Sequence, residues 1–308
     1  MSHGRDIGDD GIHGDGTWLL GDLPVRRIGL GAMRLPGRIA FDNASVADRA
    51  RSVRVLRRAV DLGVNHIDTA AFYFSARRSA NELIAAALAP YPDDLVIATK
   101  VGPRRDRAGD WAEWARPDEL RGDVEENLRQ LGRDRLDVVN MRVNERTAPL
   151  IAEYVGELAR LREAGLIRHI GVSGVDVAAL DAARKEAPVV CVQNPFGLGR
   201  TRPGDAELLH RCAELGIAFV PFFAIAGGGG HRGAEDTGGA GDGAALAEIA
   251  AAHDATPAQI RLAWTLHQGP HVLAIPGTGD PDHVAQNVAA GAIRLTEREV
   301  RALGTVNG

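Results

Sequence analysis

The amino-acid sequence predicts an α/β fold, a (β/α)8 TIM barrel. From residue 27 onward, short apolar runs alternate with segments of helical period, the pattern of a parallel sheet covered by helices. There are eight such runs, the number of strands that closes a parallel sheet into a barrel. A doubly wound open sheet is the alternative. Residues 29–37, GLGAMRLPG, lack the Gly-x-Gly-x-x-Gly spacing that this alternative needs after its first strand.

Each predicted strand is a short run of mainly aliphatic residues, as expected for strands buried on both faces. In chain order the strands are RIGLGAM (27–33), VNHIDT (64–69), LVIATKV (95–101), LDVVNMRV (136–143), IRHIGVS (167–173), VVCVQN (189–194), IAFVPFF (217–223) and HVLAIPG (271–277).

The segments between the strands predict helices. The first, 46–63, ends on Gly63, a residue typical of helix C-termini. The last, 256–268, carries Pro257 in its first turn, where proline is tolerated. Four more have apolar residues at helical spacing, namely 117–132, 148–165, 176–187 and 205–216.

Two segments have biased composition. Residues 1–16 are polar and rich in Gly and Asp, which predicts a disordered tail before a single barrel domain, 17–308. Residues 227–243 include nine glycines and follow the seventh predicted strand. This segment is either a plain flexible surface loop or a loop that closes over a ligand phosphate, mobile without cofactor and ordered with it.

Composition and charge exclude several classes of function. The net charge is −5 and no basic stripe occurs, so neither nucleic acid nor an anionic membrane is expected as a partner. Cys191 and Cys212 have no metal-ligand spacing, and no helical His pair occurs, so no metal site is predicted. With no membrane-spanning run and no apolar signal core, the expected location is cytoplasmic.

Charged residues stand one position before the end of three of the predicted strands. Asp68, Lys100 and Arg142 stand there, and Tyr73 lies on the loop after Asp68. The carboxyl ends of barrel strands meet at one mouth, so these residues are expected to lie together. Asp68 can cap a helix or pair with Lys100. Cations near a phenol lower its pKa, which would suit Tyr73 to act as a general acid toward a carbonyl oxygen.

Five motifs, in order, resemble those of the aldo-keto reductase superfamily over residues 25–305. They are GVNHIDTAAFY (63–73), ATK (98–100), GLIRHIGVS (165–173), VCVQN (190–194) and IPGT (275–278). The sequence is most similar to the branch that contains bacterial pyridoxal reductases. The resemblance implies a barrel that binds NADPH or NADH without a Rossmann domain. It also implies that Tyr73 donates a proton, Lys100 tunes the phenol and Asp68 pairs with Lys100.

The resemblance also implies a set of cofactor contacts. Gln193 would hydrogen-bond the nicotinamide carboxamide beside Ser173, and Phe196 would stack on the nicotinamide ring. Residues 221–230 would run along the pyrophosphate, and residues 277–287 would lie near the adenosine. The expected cofactor-binding residues are Ala32, Met33, Asp68, Ser173, Gln193, Phe196, Pro221, Phe222, Phe223, Gly227, Gly277, Thr278, Gln286 and Asn287.

This chain departs from the family pattern at several positions. Arg142 stands where most members have His, and it is expected to hold the substrate's carbonyl oxygen or an attached anion. Gly174 replaces the usual Asn, and Phe74 replaces a common Gly.

A further departure concerns cofactor choice. Residues 278–287 contain no Arg or Lys to grip the 2′-phosphate of NADP, and they carry Asp280 and Asp282. A weakened preference for NADP(H) is therefore expected, with NAD(H) used comparably or better. Arg232 of the Gly-rich segment, helped by a protonated His283, could still supply the missing charge.

The function predicted from these observations is NAD(P)H-dependent reduction of a small aldehyde or ketone, with pyridoxal-like aromatic aldehydes as candidates. The alternatives are NAD-dependent alcohol dehydrogenation and a non-catalytic cofactor-binding barrel that serves as sensor or subunit. A metal-dependent hydrolase is disfavoured because the strand ends lack ligand clusters. Trp111 and Trp114 either form an apolar substrate wall or pack their loop onto the barrel. The sequence does not indicate the oligomeric state.

Overall fold

The computed structural model describes residues 16–37, 41–225 and 243–304. Its elements, in chain order, are β1 (Thr17–Leu20), β2 (Leu23–Arg26), β3 (Leu30–Gly31), α1 (Arg49–Asp61), β4 (His66–Asp68), β5 (Phe74–Ser75), β6 (Arg78–Ser79), α2 (Ala80–Leu88), β7 (Val96–Val101), α3 (Leu120–Leu131), β8 (Leu136–Arg142), α4 (Ile151–Glu163), β9 (Ile167–Ser173), α5 (Val177–Glu186), β10 (Val189–Gln193), α6 (Asp205–Glu214), β11 (Ala218–Phe219), α7 (Gly243–Ala252), α8 (Pro257–His267), α9 (Pro281–Ala289) and α10 (Glu297–Leu303). Four 3-10 turns accompany them, at Ala32–Arg34, Pro117–Glu119, Ala148–Leu150 and Ala290–Ala292.

The strands form a closed parallel barrel. Seven of them pair side by side in the order β3, β4, β7, β8, β9, β10 and β11. The eighth predicted strand closes the ring through isolated parallel bridges: Val272 pairs with Phe219 on one side, and Ala274 pairs with Ile28 on the other. The predicted (β/α)8 barrel is therefore confirmed, with an eighth strand too irregular to form a continuous ladder.

The helices begin and end where local chemistry favours it. Asp48 caps α1 by accepting hydrogen bonds from the backbone N–H groups of Ala50 and Arg51. Gly63, with φ +85°, then reverses the chain into β4. Thr256 and Gln259 form a capping box at the start of α8. Each of the six predicted helices is present. The sequence analysis missed α2, α7, α9, α10 and the β1–β2 hairpin.

The hairpin covers the N-terminal end of the barrel. Leu20 and Val25 are buried there against the inward side chains of Val96 and Leu273. Asp22, at the hairpin turn, lies 2.5 Å from the His169 ring nitrogen Nε2 and also pairs with Arg168. The C-terminal strand ends form the opposite, functional end of the barrel. No helix in the described ranges is long and apolar enough to cross a membrane.

A buried polar network joins the barrel to its outer helices. Thr69 donates to the side-chain oxygen of Asn81 at 2.7 Å, and Asn81 donates to Asn127 at 2.9 Å. Thr99 donates to the same Asn127 oxygen at 2.5 Å. Because Thr69 follows Asp68 and Thr99 precedes Lys100, this network fixes β4 and β7 against α2 and α3.

Candidate active site

Asp68 and Lys100 form a buried ion pair at the barrel mouth. They lie on adjacent strands, with Asp68 opposite Ala98, so both side chains point inward. Lys100 Nζ lies 2.7 and 2.6 Å from the two carboxylate oxygens of Asp68, and it donates to the Thr69 carbonyl at 3.0 Å. Asp68 caps no helix, since α2 is capped by Ser79. The pairing expected from the sequence is the arrangement that the structure shows.

The pair keeps Lys100 charged. Burial lowers the pKa of Lys100, but the charges and hydrogen bonds of Asp68 and Tyr73 outweigh it, and the net pKa is raised. Lys100 is therefore a cation at neutral pH, although its side chain is only 6% exposed.

Tyr73 is held over this pair by its own backbone. Its N–H donates to the Ala70 carbonyl at 3.0 Å, and its carbonyl accepts from Ala80 at 2.9 Å. Lys100 Nζ lies 4.8 Å from the centroid of the phenol ring. Burial raises the pKa of Tyr73, while the charges of Lys100 and Arg142 oppose that rise. The net direction is upward, so the lowering expected from the sequence does not hold in this structure.

A protonated phenol beside a cation can act as a general acid. It carries the proton that a carbonyl oxygen needs, and Lys100 stabilises the phenolate left after donation.

Gln193 completes the polar floor of the site. It ends β10, is 1% exposed and donates from Nε2 to Asp68 Oδ1 at 2.7 Å. Its other amide atom, Oε1, has no hydrogen-bond partner within the part of the chain that the structure describes. A buried acceptor without a donor is costly. The nicotinamide carboxamide has an N–H₂ donor, so Gln193 fits the cofactor contact expected for it, with Ser173 on the neighbouring strand.

Arg142 points into the mouth from the end of β8. Its Nη1 donates to Ser173 Oγ at 3.3 Å, and its guanidinium carbon lies 5.3 Å from the centroid of the Phe222 ring. Burial lowers the pKa of Arg142. Gly174 makes space for this guanidinium, because a Cβ at 174 would lie 2.6 Å from Nη1 and 2.7 Å from the Val143 carbonyl oxygen.

The turn at Gly174 is held by Asn194. Its side-chain oxygen accepts from the N–H groups of Gly174, at 2.8 Å, and Val175, at 3.2 Å. Gly174 has φ +78°, in the left-handed region that favours glycine. The two departures from the family pattern, Arg142 and Gly174, are thus one structural feature.

Phe196 does not occupy the position expected for it. Its ring is 0% exposed and stacks on Trp264 of α8 at 5.7 Å, with Phe219 edge-on at 5.5 Å. Side chains alternate along the continued strand. Gln193 points inward, so Phe196 points outward into the helix layer. This corrects the prediction that Phe196 stacks on nicotinamide. Phe222, which packs with the barrel-interior cluster, is the aromatic residue of this region that faces the site.

An aromatic wall flanks Tyr73. The rings of Phe41 and Phe72 lie 5.9 and 5.1 Å from the Tyr73 ring, between centroids. Trp111, 53% exposed, packs on both, at 5.0 Å from Phe41 and 6.0 Å from Phe72. Trp111 therefore lies beside the site, a position that fits both a substrate wall and packing of its loop onto the barrel. For Trp114 neither interpretation gains support, since no ring contact involves it within the described residues.

Arg105 ties this wall together, and the sequence analysis gave it no role. Its guanidinium donates to the carbonyls of Phe41 at 3.0 Å and Phe74 at 2.7 Å, and to Gly109 at 2.8 Å. A longer bond, 3.3 Å, reaches the Phe72 carbonyl. One side chain thus holds three loop segments, including both neighbours of Tyr73. No sequence motif marks it, because an Arg in an irregular loop gives no periodic signal.

The other expected cofactor residues lie at or after strand ends on the same face. Ala32 and Met33 follow β3, Pro221, Phe222 and Phe223 follow β11, and Gly277, Thr278, Gln286 and Asn287 belong to the segment from the eighth strand through α9. Gly277 is exposed, whereas Thr278 is 8% exposed. Gly227 and nearly all of the Gly-rich segment, 227–243, lie outside the described residues, and so does the N-terminal tail before Gly16.

The acidic segment 278–287, near the expected adenosine end, has a cation beside it. Asp280 caps α9 by accepting from the Asp282 backbone N–H at 2.9 Å. Its other oxygen lies 2.6 Å from Nη2 of Arg51, on α1. The use of NAD(H) was expected because residues 278–287 contain no Arg or Lys. Arg51, on α1, nevertheless places a cation beside Asp280 and offsets the negative charge that would repel a phosphate.

Comparisons with known proteins agree with this architecture. Residues 27–307 match the model of the aldo/keto reductase family. The chain is 40% identical over 297 residues to pyridoxine 4-dehydrogenase of Escherichia coli K12, covering 95% of this chain and 97% of that protein. It resembles the structure of a thermostable aldo-keto reductase bound to the inhibitor epalrestat, with a TM-score of 0.77, 29% identity and coverage of 93% and 97%. An aldo-keto reductase of Klebsiella pneumoniae in complex with NADPH gives a TM-score of 0.73, 28% identity and coverage of 91% and 90%.

The fold and these matches define an oxidoreductase built on a parallel barrel. The chain belongs to the aldo-keto reductase family.

Proposed function

We propose that this protein reduces a pyridoxal-type aromatic aldehyde to the alcohol, with Tyr73 as the proton donor. The observation that carries the proposal is the buried Asp68–Lys100 pair beneath the phenol of Tyr73. The aromatic wall of Phe41, Phe72 and Trp111 suits a planar ring. The 40% identity to a protein named pyridoxine 4-dehydrogenase supports the same substrate class.

Each side chain has one task in the reduction. The cofactor, when bound, supplies the hydride. Gln193 Oε1, which has no partner among the described residues, would accept from the carboxamide and so orient the nicotinamide. The Tyr73 hydroxyl donates its proton to the carbonyl oxygen as that oxygen gains charge. Lys100 stabilises the phenolate that results, and Asp68 holds Lys100 protonated and in place.

Two alternative functions use the same residues differently. Alcohol oxidation needs Tyr73 as phenolate to accept a proton. Burial raises the pKa of Tyr73, so the phenol is protonated at rest, which is the form from which reduction starts. A non-catalytic cofactor-binding barrel would have no use for a buried ion pair beneath a phenol. Burying both charges is costly, and a binding function alone does not require it.

The test is a Tyr73→Phe variant assayed at 340 nm with pyridoxal and benzaldehyde. We expect turnover to fall by about 10²–10⁴-fold, the usual worth of a general acid, while NADPH still binds in a fluorescence titration. Tyr91→Phe is the matched control: its hydroxyl donates to the Leu131 carbonyl, away from the mouth, and turnover should persist. Retained turnover in Tyr73→Phe would contradict the proposal.

The cytoplasmic location and the choice between NADPH and NADH stay predictions. Parallel titrations with NADH and NADPH measure that choice. A dissociation constant for NADPH more than about tenfold lower, roughly 1.4 kcal/mol, would contradict the comparable use of NAD(H) expected from the sequence.

A further inference from the structure

We propose that Arg142 forms a subsite for aromatic aldehydes that carry an ionised hydroxyl group ortho to the carbonyl. The inference rests on the proposed function and deepens it, because it states which aromatic aldehydes the site selects.

The first observation is the electrostatic state of Arg142. Arg142 is half-buried, yet no Asp or Glu side chain in the described ranges forms an ion pair with its guanidinium. Its neighbours are a neutral hydroxyl, Ser173, and the face of Phe222. The charge of Arg202 adds repulsion. A cation placed this way is costly unless an anion joins it, so an anionic ligand would gain affinity here.

The second observation is that the fold provides the space for this cation. Gly174 has no side chain to collide with Nη1 at 2.6 Å, and Asn194 fixes the turn that places Gly174 there. The guanidinium is therefore held by the β8–β9 strand ends.

The chemistry of the ligand follows from the shape of the donor. A guanidinium presents parallel N–H groups in one plane and pairs with two coplanar oxygens at once. An aldehyde with an ortho phenolate offers two such oxygens, the carbonyl and the phenolate, on one edge of its ring. Histidine, common at this position in the family, offers a single N–H. The ring itself would lie against Phe222 or the wall that contains Trp111.

The same contact would assist the reaction. A phenolate donates electron density into the carbonyl and makes its carbon a poorer hydride acceptor. A cation on the phenolate oxygen reduces that donation. In the reaction, hydride adds to the carbonyl carbon and the Tyr73 proton adds to the carbonyl oxygen, while the ortho oxygen keeps its bond and its charge.

The experiment compares 2-hydroxybenzaldehyde with 4-hydroxybenzaldehyde. The 4-isomer also ionises, but its phenolate oxygen lies too far from the carbonyl oxygen for one guanidinium to contact both. We expect the wild-type kcat/KM to favour the ortho isomer by roughly tenfold or more, the worth of a charge-assisted hydrogen bond. The ratio should fall toward unity in Arg142→His and stay intermediate in Arg142→Lys. Arg129→His, at an exposed site on α3, should keep the wild-type ratio. 2-Methoxybenzaldehyde, which cannot ionise, should lose the advantage. A wild-type ratio near unity, or a ratio unchanged in Arg142→His, would overturn the inference.

A binding measurement separates this inference from the proposed function. Calorimetry on Tyr73→Phe with NADP⁺ gives the affinities of both isomers without turnover. If the wild type reduces no aldehyde, the proposed function fails. An ortho preference in binding that disappears when Arg142→His is added would still support the subsite. Equal affinities of the two isomers would overturn it whatever the turnover.

Discussion

Replacing Lys100 by Met should destabilise the protein severely, because it leaves the Asp68 carboxylate buried without its counter-ion. The two side chains are 6% and 7% exposed, and both carboxylate oxygens contact Nζ. After the replacement Asp68 would keep only the Gln193 hydrogen bond. Breaking such a pair from one side costs about 3–5 kcal/mol, a large share of the roughly 5–15 kcal/mol by which domains are stable.

Removing both charges should cost much less. Asp68→Asn with Lys100→Met keeps the side-chain volumes and an oxygen for Gln193, so we expect a loss of about 1–2 kcal/mol. Asp68→Asn alone leaves Lys100 buried without its counter-ion and should also cost about 3–5 kcal/mol, so the coupling energy, the sum of the single losses minus the double loss, should be about 4 kcal/mol or more. The raised pKa of Lys100 means that the pair's contribution is complete below the unfolded lysine pKa, and it is lost as pH rises through the folded pKa.

Urea denaturation at pH 7, followed by circular dichroism and tryptophan fluorescence, measures these free energies of unfolding for the wild type, both single variants and the double variant. Additive losses would show that the two charges are not coupled. A loss below about 1 kcal/mol for Lys100→Met would mean that water reaches Asp68, and the argument from burial would be refuted.

Three further predictions concern other parts of the molecule. Burial lowers the pKa of His66 to about 4, so below pH 6.5 the unfolded chain binds a proton that the folded chain does not. The free energy of unfolding should therefore fall by up to about 3 kcal/mol between pH 6.5 and 4. Denaturation of His66→Gln should show a smaller fall over the same pH range. An equal fall in the variant would count against the burial of His66 as the cause. Arg105→Lys should raise KM for benzaldehyde roughly tenfold and KM for propanal by less, because one ammonium cannot hold three loop segments. Equal changes in KM for both substrates would argue against a role of Arg105 in the aromatic wall. Arg51→Ala should weaken NADPH binding by roughly fivefold, the effect of one exposed charge contact, and leave NADH binding unchanged. Equal losses of affinity for NADPH and NADH in fluorescence titrations would place Arg51 outside the phosphate site.

The barrel and its charged mouth could be predicted because both leave local signals. Strand and helix periods differ, and a charge at the end of an apolar run is conspicuous. Asp68, Lys100 and Arg142 each end such a run, and parallel topology alone brings them together. The missed helix α9 begins at a Pro and was interpreted only as part of the cofactor segment.

The errors arose where a residue's role depends on distant chain segments. The direction of Phe196 follows from a strand pairing that continues beyond Gln193, with Pro195 opposite Phe222. The ion pair between Arg51 and Asp280 joins residues 229 positions apart, and no single-sequence pattern indicates it.

The network of Thr69, Asn81, Asn127 and Thr99 has a consequence for redesign of this enzyme. These side chains anchor the ends of β4 and β7 from outside the barrel, whereas the aromatic wall is built from loops that Arg105 holds together. If the proposed function is right, chemistry and selectivity are supported by separate parts of the chain. Loops carrying Phe41 and Trp111 can be exchanged to change the substrate range, provided that the replacements retain an anchor like Arg105. A change at Asn127, although it never meets substrate, would shift β4 and β7 together and disable every such redesign at once.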